Sequence, residues 1–203
     1  MEPSGLADQP ERHAGALMEV GNDLISRARR GDEEAFRLIF ERYTLPVTRF
    51  IFYMVSERSL AEELAQETFV RAYRSLGSLR DETRLSTWLF GIARNVARES
   101  LRESRRDARR VEFTHVGSVR DTGPTPARKF LDKELNDVVR KALGTLDEDK
   151  RLVFILKVYE QRSYDEISGI TGFSIPKIRN DLHRARANMR ALLSSYLGAD
   201  DDV

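Results

Sequence analysis

Apolar residues recur at three- and four-residue steps through stretch after stretch of this chain. No stretch alternates residue by residue in the manner of a half-buried strand. A short helix is predicted from Asn22 or Asp23 to Arg29, with Leu24, Ile25 and Ala28 on one side and Gly31 interrupting it. Asp32 is placed to cap the next helix, whose apolar face holds Ala35, Phe36, Ile39 and Phe40. Pro46 should kink or divide the helical segment there, and Val47, Phe50, Ile51 and Met54 resume the spacing. Ser59-Leu-Ala-Glu62 has the form of a capping box. It opens a helix with Leu60, Leu64, Phe69, Ala72, Tyr73 and Leu76 at helical steps. Gly77 is a natural stop, and Gly77–Arg84 reads as an exposed loop. Ser86 then caps a long helix with Trp88, Leu89, Ile92, Ala93, Val96 and Ala97 inward and a strongly basic far end.

From about Arg110 to Pro126 the pattern dissolves into polar residues with Gly117, Gly123, Pro124 and Pro126 among them, which reads as a linker and a domain boundary. A second helical unit starts near Arg128, its first apolar stripe made by Leu131, Leu135, Val138, Val139, Ala142 and Leu143. A further helix starts near Asp147 and runs through Val153, Phe154, Leu156 and Val158. The expected fold class is therefore all-α: two small helical domains joined by a flexible linker, the second a helix-turn-helix domain. The boundaries are a flexible lead over 1–21, a first domain over 22–110, the linker over 111–127, a second domain over 128–197 and an acidic tail over 198–203.

The helix-turn-helix has the sharpest geometry. Ser163-Tyr-Asp-Glu166 forms a second capping box and opens a short helix through Ile167 and Ile170. Gly172 supplies the turn, where a left-handed backbone angle is easiest for glycine. Ser174 caps the next helix, with Pro176 in its first turn, where a missing N–H costs nothing. One face of that helix carries Ile175, Ile178, Leu182, Ala185, Met189, Leu192 and Tyr196. The other carries Lys177, Arg179, Asn180, His183, Arg184, Arg186 and Arg190. A second helix so placed can enter the DNA major groove. There arginine reads guanine edges, asparagine reads adenine, and the remaining cations bind phosphates. An ordinary helical hairpin with a solvated basic face is the alternative.

Composition narrows the classes. Lys+Arg total 34 against 33 Asp+Glu, so a net charge of +1 does not announce a nucleic-acid binder, and only local clustering can. The absence of cysteine excludes disulfides, thiolate metal sites and a cysteine nucleophile, and fits a reducing compartment. No apolar run approaches the roughly 18–20 residues of a membrane span, and Met1–Val20 lacks the pattern of a signal peptide, so a cytoplasmic protein without membrane insertion is expected. His13, His115 and His183 are scattered, so no metal site is expected. No glycine-rich phosphate loop, His-Glu-x-x-His or triad is present, which makes an enzyme the weakest reading, and no cofactor is implied.

Three segments of the first domain, taken in order, carry a resemblance. They are Gly31-Asp-Glu-Glu-Ala-Phe36, Leu60-Ala-Glu-Glu-Leu-Ala-Gln-Glu-Thr-Phe-Val-Arg-Ala-Tyr73 and Ser86-Thr-Trp-Leu-Phe-Gly-Ile-Ala-Arg-Asn95. With Tyr164-Asp-Glu-Ile167 and Arg184-Ala-Arg186, they closely resemble the two conserved domains, regions 2 and 4, of extracytoplasmic-function (ECF) sigma factors. The resemblance covers about Asn22 to Tyr196 except the linker.

It implies an alternative sigma factor that binds core RNA polymerase, recognises promoter DNA and melts the minus-ten element. The polymerase contacts would be the clamp helices of the largest subunit and the flap region. Clamp docking would fall on Glu63, Gln66 and Glu67, with Arg71 beside them; read alone, that acidic helix is equally a solvated face. The loop Gly77–Arg84 and the start of the next helix would face the minus-ten element, with Asn95 as the leading base contact and Arg94, Arg98 and Arg84 near the strand. Lys177, Arg179, Asn180, His183, Arg184 and Arg186 would meet the minus-thirty-five element. An anti-sigma factor is the implied regulator, and the implied location is cytoplasmic, at the nucleoid when bound to polymerase. The linker would thread into the polymerase or serve as a passive tether. Trp88 reads as core rather than as a stacking platform, because it shares the apolar stripe with Ile92.

The chain departs from the family pattern at Pro46, Glu99, Ser168-Gly169, Pro176 and Asp181. Ser168-Gly169 should loosen the first helix of the helix-turn-helix, and Asp181 either faces away from DNA or rejects certain bases. A conventional helix-turn-helix regulator leaves the first domain unexplained. A helical adaptor acting only through proteins would not need Arg179 or Arg184.

Overall fold

The computed structural model describes residues 23–79, 81–111 and 138–197. The lead, the linker, the segment holding Leu131 and Leu135, the Tyr196 side chain and the acidic tail lie outside the described residues. Those described are helical, with α1 at residues 23–29, α2 at Glu33–Val55, α3 at Arg58–Ser75 and α4 at Leu85–Val111. Then come α5 at residues 138–144, α6 at Glu148–Phe154 (prolonged by a π turn over Ile155–Tyr159), α7 at Tyr164–Thr171 and α8 at Ile175–Leu197.

The first domain packs α2, α3 and α4 side by side. Gly31 sits at φ +90°, and the Asp32 carboxylate accepts from the Ala35 N–H at 3.1 Å, so the break and the cap fall where the sequence puts them. That N–H, and then the Arg27 guanidinium, hold the Asp32 carboxyl below its ordinary pKa. Pro46 does not divide the helix: α2 runs through it, burying Ala35 and Ile39 before it and Val47, Phe50, Ile51 and Met54 after it. The half before Pro46 is buried in one apolar cluster with Leu76, Leu79 and Leu85, and the half after it in a second with Leu89 and Phe90. Burial on both sides outweighs the single backbone hydrogen bond a proline removes.

The cap of α3 is not Ser59. Glu57 precedes the helix in extended conformation and its carboxylate accepts from Leu60 N–H, while Glu62 pairs with Arg58 instead. The buried stripe of α3 keeps Phe69, Ala72 and Leu76 of the predicted one but is otherwise shifted. Ala61, Ala65, Thr68, Phe69 and Ala72 are inside, whereas Leu60 and Leu64 are half-buried and Tyr73 is exposed. Small alanines let α3 approach its neighbours closely, and the larger residues flank that seam.

Ser86 is inside the first turn of α4 rather than its cap, with its hydroxyl buried and unpartnered. Gly77–Arg84 is not simply an exposed loop. It contains 3-10 turns at Leu76–Ser78 and Glu82–Arg84, and it buries Leu79 beside Leu76 and Leu85.

In the second domain the Ser163–Glu166 capping box is complete: the Ser163 hydroxyl accepts from the Glu166 N–H, and the Glu166 carboxylate accepts from the Ser163 N–H. Gly172 ends α7 at φ +74°, and the Ser174 hydroxyl accepts from Lys177 N–H at 3.4 Å. Along α8, Ile178, Leu182, Ala185 and Met189 are buried, but Leu192 is exposed. Ser163→Ala should cost about 1 kcal/mol, read as a fall in the urea midpoint. An unchanged midpoint would mean that the box contributes nothing to stability.

The two domains do not stand apart. One buried apolar cluster runs from Phe50, Met54, Leu89 and Phe90 of the first into Leu152, Val153, Ile155 and Ile167 of the second. The C-terminus of α2 has no basic residue in its last turn. Arg151 of α6 donates to the Met54 carbonyl at 2.9 Å in that place. The same guanidinium donates to the carbonyls of Gly144 and Leu146, and so ties α2 to the turn between α5 and α6. Arg49 pairs with Glu160, and Tyr53 stacks on Tyr159 with ring centroids 4.3 Å apart.

Candidate nucleic-acid interface

The candidate recognition surface on α8 follows from its helical repeat. Ile178, Leu182, Ala185 and Met189 occupy one side, so Arg179, Asn180, His183, Arg184, Arg186 and Arg190 fall on the opposite arc, and all six are exposed. The Arg179 guanidinium lies over the Tyr164 ring, 5.4 Å from its centroid, which limits its freedom at the start of the arc.

Lys177 is differently placed from the other predicted cations. It pairs with Asp181 on its own helix and with Asp149 on α6 at 3.1 Å, and it lies 4.2 Å from the Phe173 ring centroid. The Asp181 hydrogen bond is the main reason its ammonium holds its proton more tightly than an ordinary lysine. Lys177 therefore braces the base of α8. Asp181 is itself buried against it, so this acid faces away from the recognition arc.

At the start of α4 a cleft of about 600 Å³ opens, lined by Ser78, Asp81, Arg84, Trp88, Arg94 and Asn95 among others. Asn95 is exposed at its wall. Trp88 is half-buried, packing against both apolar clusters while also lining the cleft, so it belongs to core and wall together. Arg84 is exposed and pairs with Asp81 at 3.3 Å. The Asp81 carboxyl is held below its usual pKa, chiefly by the Thr83 hydroxyl.

Arg94 and Arg98 are not free to meet a strand in this arrangement. Arg94 donates to the Asn95 side-chain oxygen and, at 2.6 Å, to the Ile170 carbonyl of α7. Burial, reinforced by the Arg98 charge, weakens its hold on its proton relative to an ordinary arginine. Arg98 pairs with Glu148 and with Asp149 of α6, the latter at 3.2 Å. Sequence reasoning missed Glu148, Asp149 and Ile170 as partners of this face. Spacing along one helix carries no signal for what packs on it from another domain.

On α3, Glu63 and Gln66 are exposed. Glu67 instead pairs with Arg71 at 2.7 Å, and Arg71 crosses to Glu99 of α4 at 2.7 Å. These two carboxylates, Glu67 first, raise the arginine's affinity for its proton. Glu67 and Arg71 thus tie α3 to α4, leaving Glu63 and Gln66 as the open part of the predicted polymerase surface. Among the described residues no group of His, Asp or Glu is arranged to hold a metal ion, and no helix is long and apolar enough to cross a membrane.

The chain is similar along most of its length to known proteins. A family model for sigma-70 region 2 matches residues 39–107, and one for sigma-70, region 4 matches residues 136–189. The chain is 30% identical over 186 residues to the RNA polymerase sigma-H factor of Pseudomonas aeruginosa, covering 88% of this chain and 96% of that one. It is 32% identical over 170 residues to the ECF RNA polymerase sigma-E factor of Haemophilus influenzae, covering 80% and 89%. Among solved structures, the sigma factor RpoE in complex with the anti-sigma factor NepR from Bartonella quintana is similar at TM-score 0.66 and 26% identity, over 78% of this chain and 96% of that one. CnrH in complex with the cytosolic domain of CnrY has the same fold at TM-score 0.66 and 23% identity, over 86% and 97%.

Proposed function

The chain belongs to the ECF RNA polymerase sigma factors and acts as an alternative sigma factor in transcription initiation; from that premise we propose how its residues divide the work. Glu63 and Gln66, with Glu67 and Arg71 bracing them, dock on the clamp helices of core polymerase, and a further contact is made with the flap region. Arg179, Asn180, His183, Arg184 and Arg186 meet the minus-thirty-five element, while Lys177 holds α8 in position for them. Asn95 takes an unstacked base of the minus-ten element, with Arg94, Arg98 and Arg84 on the strand's phosphates. The two domains so employed span 22–110 and 128–197.

The single observation that supports base capture best is the cleft at the head of α4, with Asn95 on its rim and Trp88 in its wall. Holding an unstacked base there shifts the duplex equilibrium toward the open form without ATP, since extrusion costs only a few kcal/mol. The reading gives the chain no bond-making step of its own, and places it in the cytoplasm, at the nucleoid when polymerase is bound. The likeness to RpoE, solved with NepR, supports an anti-sigma partner for this chain as well. A conventional helix-turn-helix regulator gains support from no observation.

The test is run-off transcription with purified core polymerase on templates with randomised promoter elements. Asn95→Ala should lose initiation on duplex templates and retain most of it on templates melted in advance. Equal loss on both would take Asn95 out of the melting step. A wild-type chain that directs no initiation would remove the assignment as a whole.

A further inference from the structure

The arginines of α4 that would hold a melted strand are already engaged, and their partners belong to the same chain. We propose that α6 and α7 of the second domain mask the strand-capture face of the first in cis, with Glu148 and Asp149 standing where strand phosphates would stand. The proposal rests on the strand-capture reading of α4.

Three independent features of the contact carry it. Glu148 accepts from Arg98 and pairs with Arg105 at 3.1 Å, while Asp149 pairs with Arg98 at 3.2 Å. Two adjacent carboxylates thus span two arginines about two turns apart on α4, which is the pairing that backbone phosphates make with such a stripe. Arg94 is engaged by the Ile170 carbonyl at 2.6 Å, so the cation nearest Asn95 is occupied as well. The cleft itself is walled on one side by Gly169 and Ile170.

Gly169 explains how α7 comes so close. A Cβ added there would lie 2.9 Å from the Thr87 methyl, closer than real side chains approach. The glycine that should loosen the helix by propensity therefore has a packing reason: it lets α7 lie against the first turn of α4. Shared apolar burial beneath the contact makes this a docked state rather than a loose collision of charged surfaces.

The masking is selective. Glu63 and Gln66 on α3 and the arc from Arg179 to Arg190 on α8 stay exposed while the domains are docked. The closed chain therefore presents its polymerase surface, its duplex-reading helix and the Asn95 rim, while the arginines that would hold the strand beside Asn95 are engaged in cis. Polymerase and promoter must prefer the undocked form for melting to proceed, since a partner shifts such an equilibrium only by its difference in affinity for the two states.

Because the chain has no cysteine, a single engineered pair tests this. The Gly169 and Thr87 Cβ positions lie within about 4.4 Å of each other, inside the reach of a disulfide. In full-length Thr87→Cys/Gly169→Cys, oxidation should give a monomeric intrachain crosslink in the free chain. The crosslinked protein should lose initiation on duplex and pre-melted templates alike, with recovery on reduction. No crosslink, or crosslinked dimers only, overturns docking in cis. A crosslinked monomer that initiates as well as its reduced form overturns masking.

A second variant keeps the test open should the cysteine pair be inactive even when reduced. Glu148→Gln/Asp149→Asn in the full chain should bind a fluorescent mixed-sequence single-stranded 12-mer several-fold more tightly than wild type, and unchanged or weaker binding overturns the phosphate-mimic role. Failure of the sigma reading shows separately, as a wild type that directs no initiation with core polymerase.

Discussion

Replacing Phe90 by alanine should lower the stability of the protein by about 4 kcal/mol. Phe90 is fully buried in α4, and its ring meets Phe50 of α2 edge to face with centroids 5.4 Å apart. That pair joins two of the three helices of the first domain. The same ring carries the Arg162 guanidinium of the second domain at 4.5 Å from its centroid. Arg162 also pairs with Glu166 at 3.1 Å, so truncating Phe90 withdraws the seat of a partly buried cation that helps to open α7. The destabilisation therefore has two parts, a cavity between α2 and α4 and a weakened contact between domains. A domain stable by roughly 5–15 kcal/mol would give up a large share of that margin. Urea unfolding followed by far-ultraviolet circular dichroism measures it. A cost below about 1 kcal/mol would mean that the ring does not anchor a shared core.

Phe90 also shows what could be read from the chain and what could not. Its neighbours Leu89, Ala93, Val96 and Ala97 fall on the helical stripe that faces α2 and α3, and all are buried as their spacing requires. Phe90 lies beside that stripe, and its burial is completed from a second side, where Arg162 of the other domain covers the ring that Phe50 of α2 meets edge-on. The same cause runs through the site. Arg179, Asn180, His183, Arg184 and Arg186 were legible because exposure of that arc follows from the helical repeat within α8 alone. The commitments of Arg94 to Ile170 and of Arg98 to Glu148 were not, since each joins residues at least fifty positions apart.

Local rules succeeded where the partner lies three or four residues away, as at Asp32 with Ala35 and Ser163 with Glu166. They failed where two local solutions compete. Glu57 and Ser59 can both cap α3, and the observed start at Arg58 selects Glu57. Pro46 marks a helix end by propensity alone, yet it lies inside α2 because the apolar residues on each side are buried, in two adjoining clusters bridged by Phe36, Tyr43 and Trp88. Gly169 was legible as an anomaly, and only the position of Thr87 turns it into a point of contact.

The recognition arc yields the second large effect. Arg179→Ala/Asn180→Ala in the holoenzyme should weaken binding to the cognate promoter by about two to four orders of magnitude, at roughly 1–3 kcal/mol for each base-reading side chain removed. Arg179 begins the arc with its guanidinium held over Tyr164, and Asn180 lies beside it on the exposed side. Both sit near the helix N-terminus, the part of a recognition helix that reaches base edges. Arg190 lies about three turns further along the same arc, where contact with backbone phosphate is the expected role.

The two roles separate by the form of the effect as well as its size. Asparagine carries no charge, so Asn180→Ala should reduce discrimination between promoter and scrambled sequence while leaving the salt dependence of binding unchanged. Arg190→Ala should weaken both sequences alike and flatten the slope of log affinity against log salt by about one. Fluorescence anisotropy of the holoenzyme on promoter and scrambled duplexes, repeated over a salt series, resolves the two. If Arg179→Ala/Asn180→Ala weakened both sequences equally, this end of α8 would be holding the backbone, and sequence choice would have to come from His183 and Arg184 further along the arc.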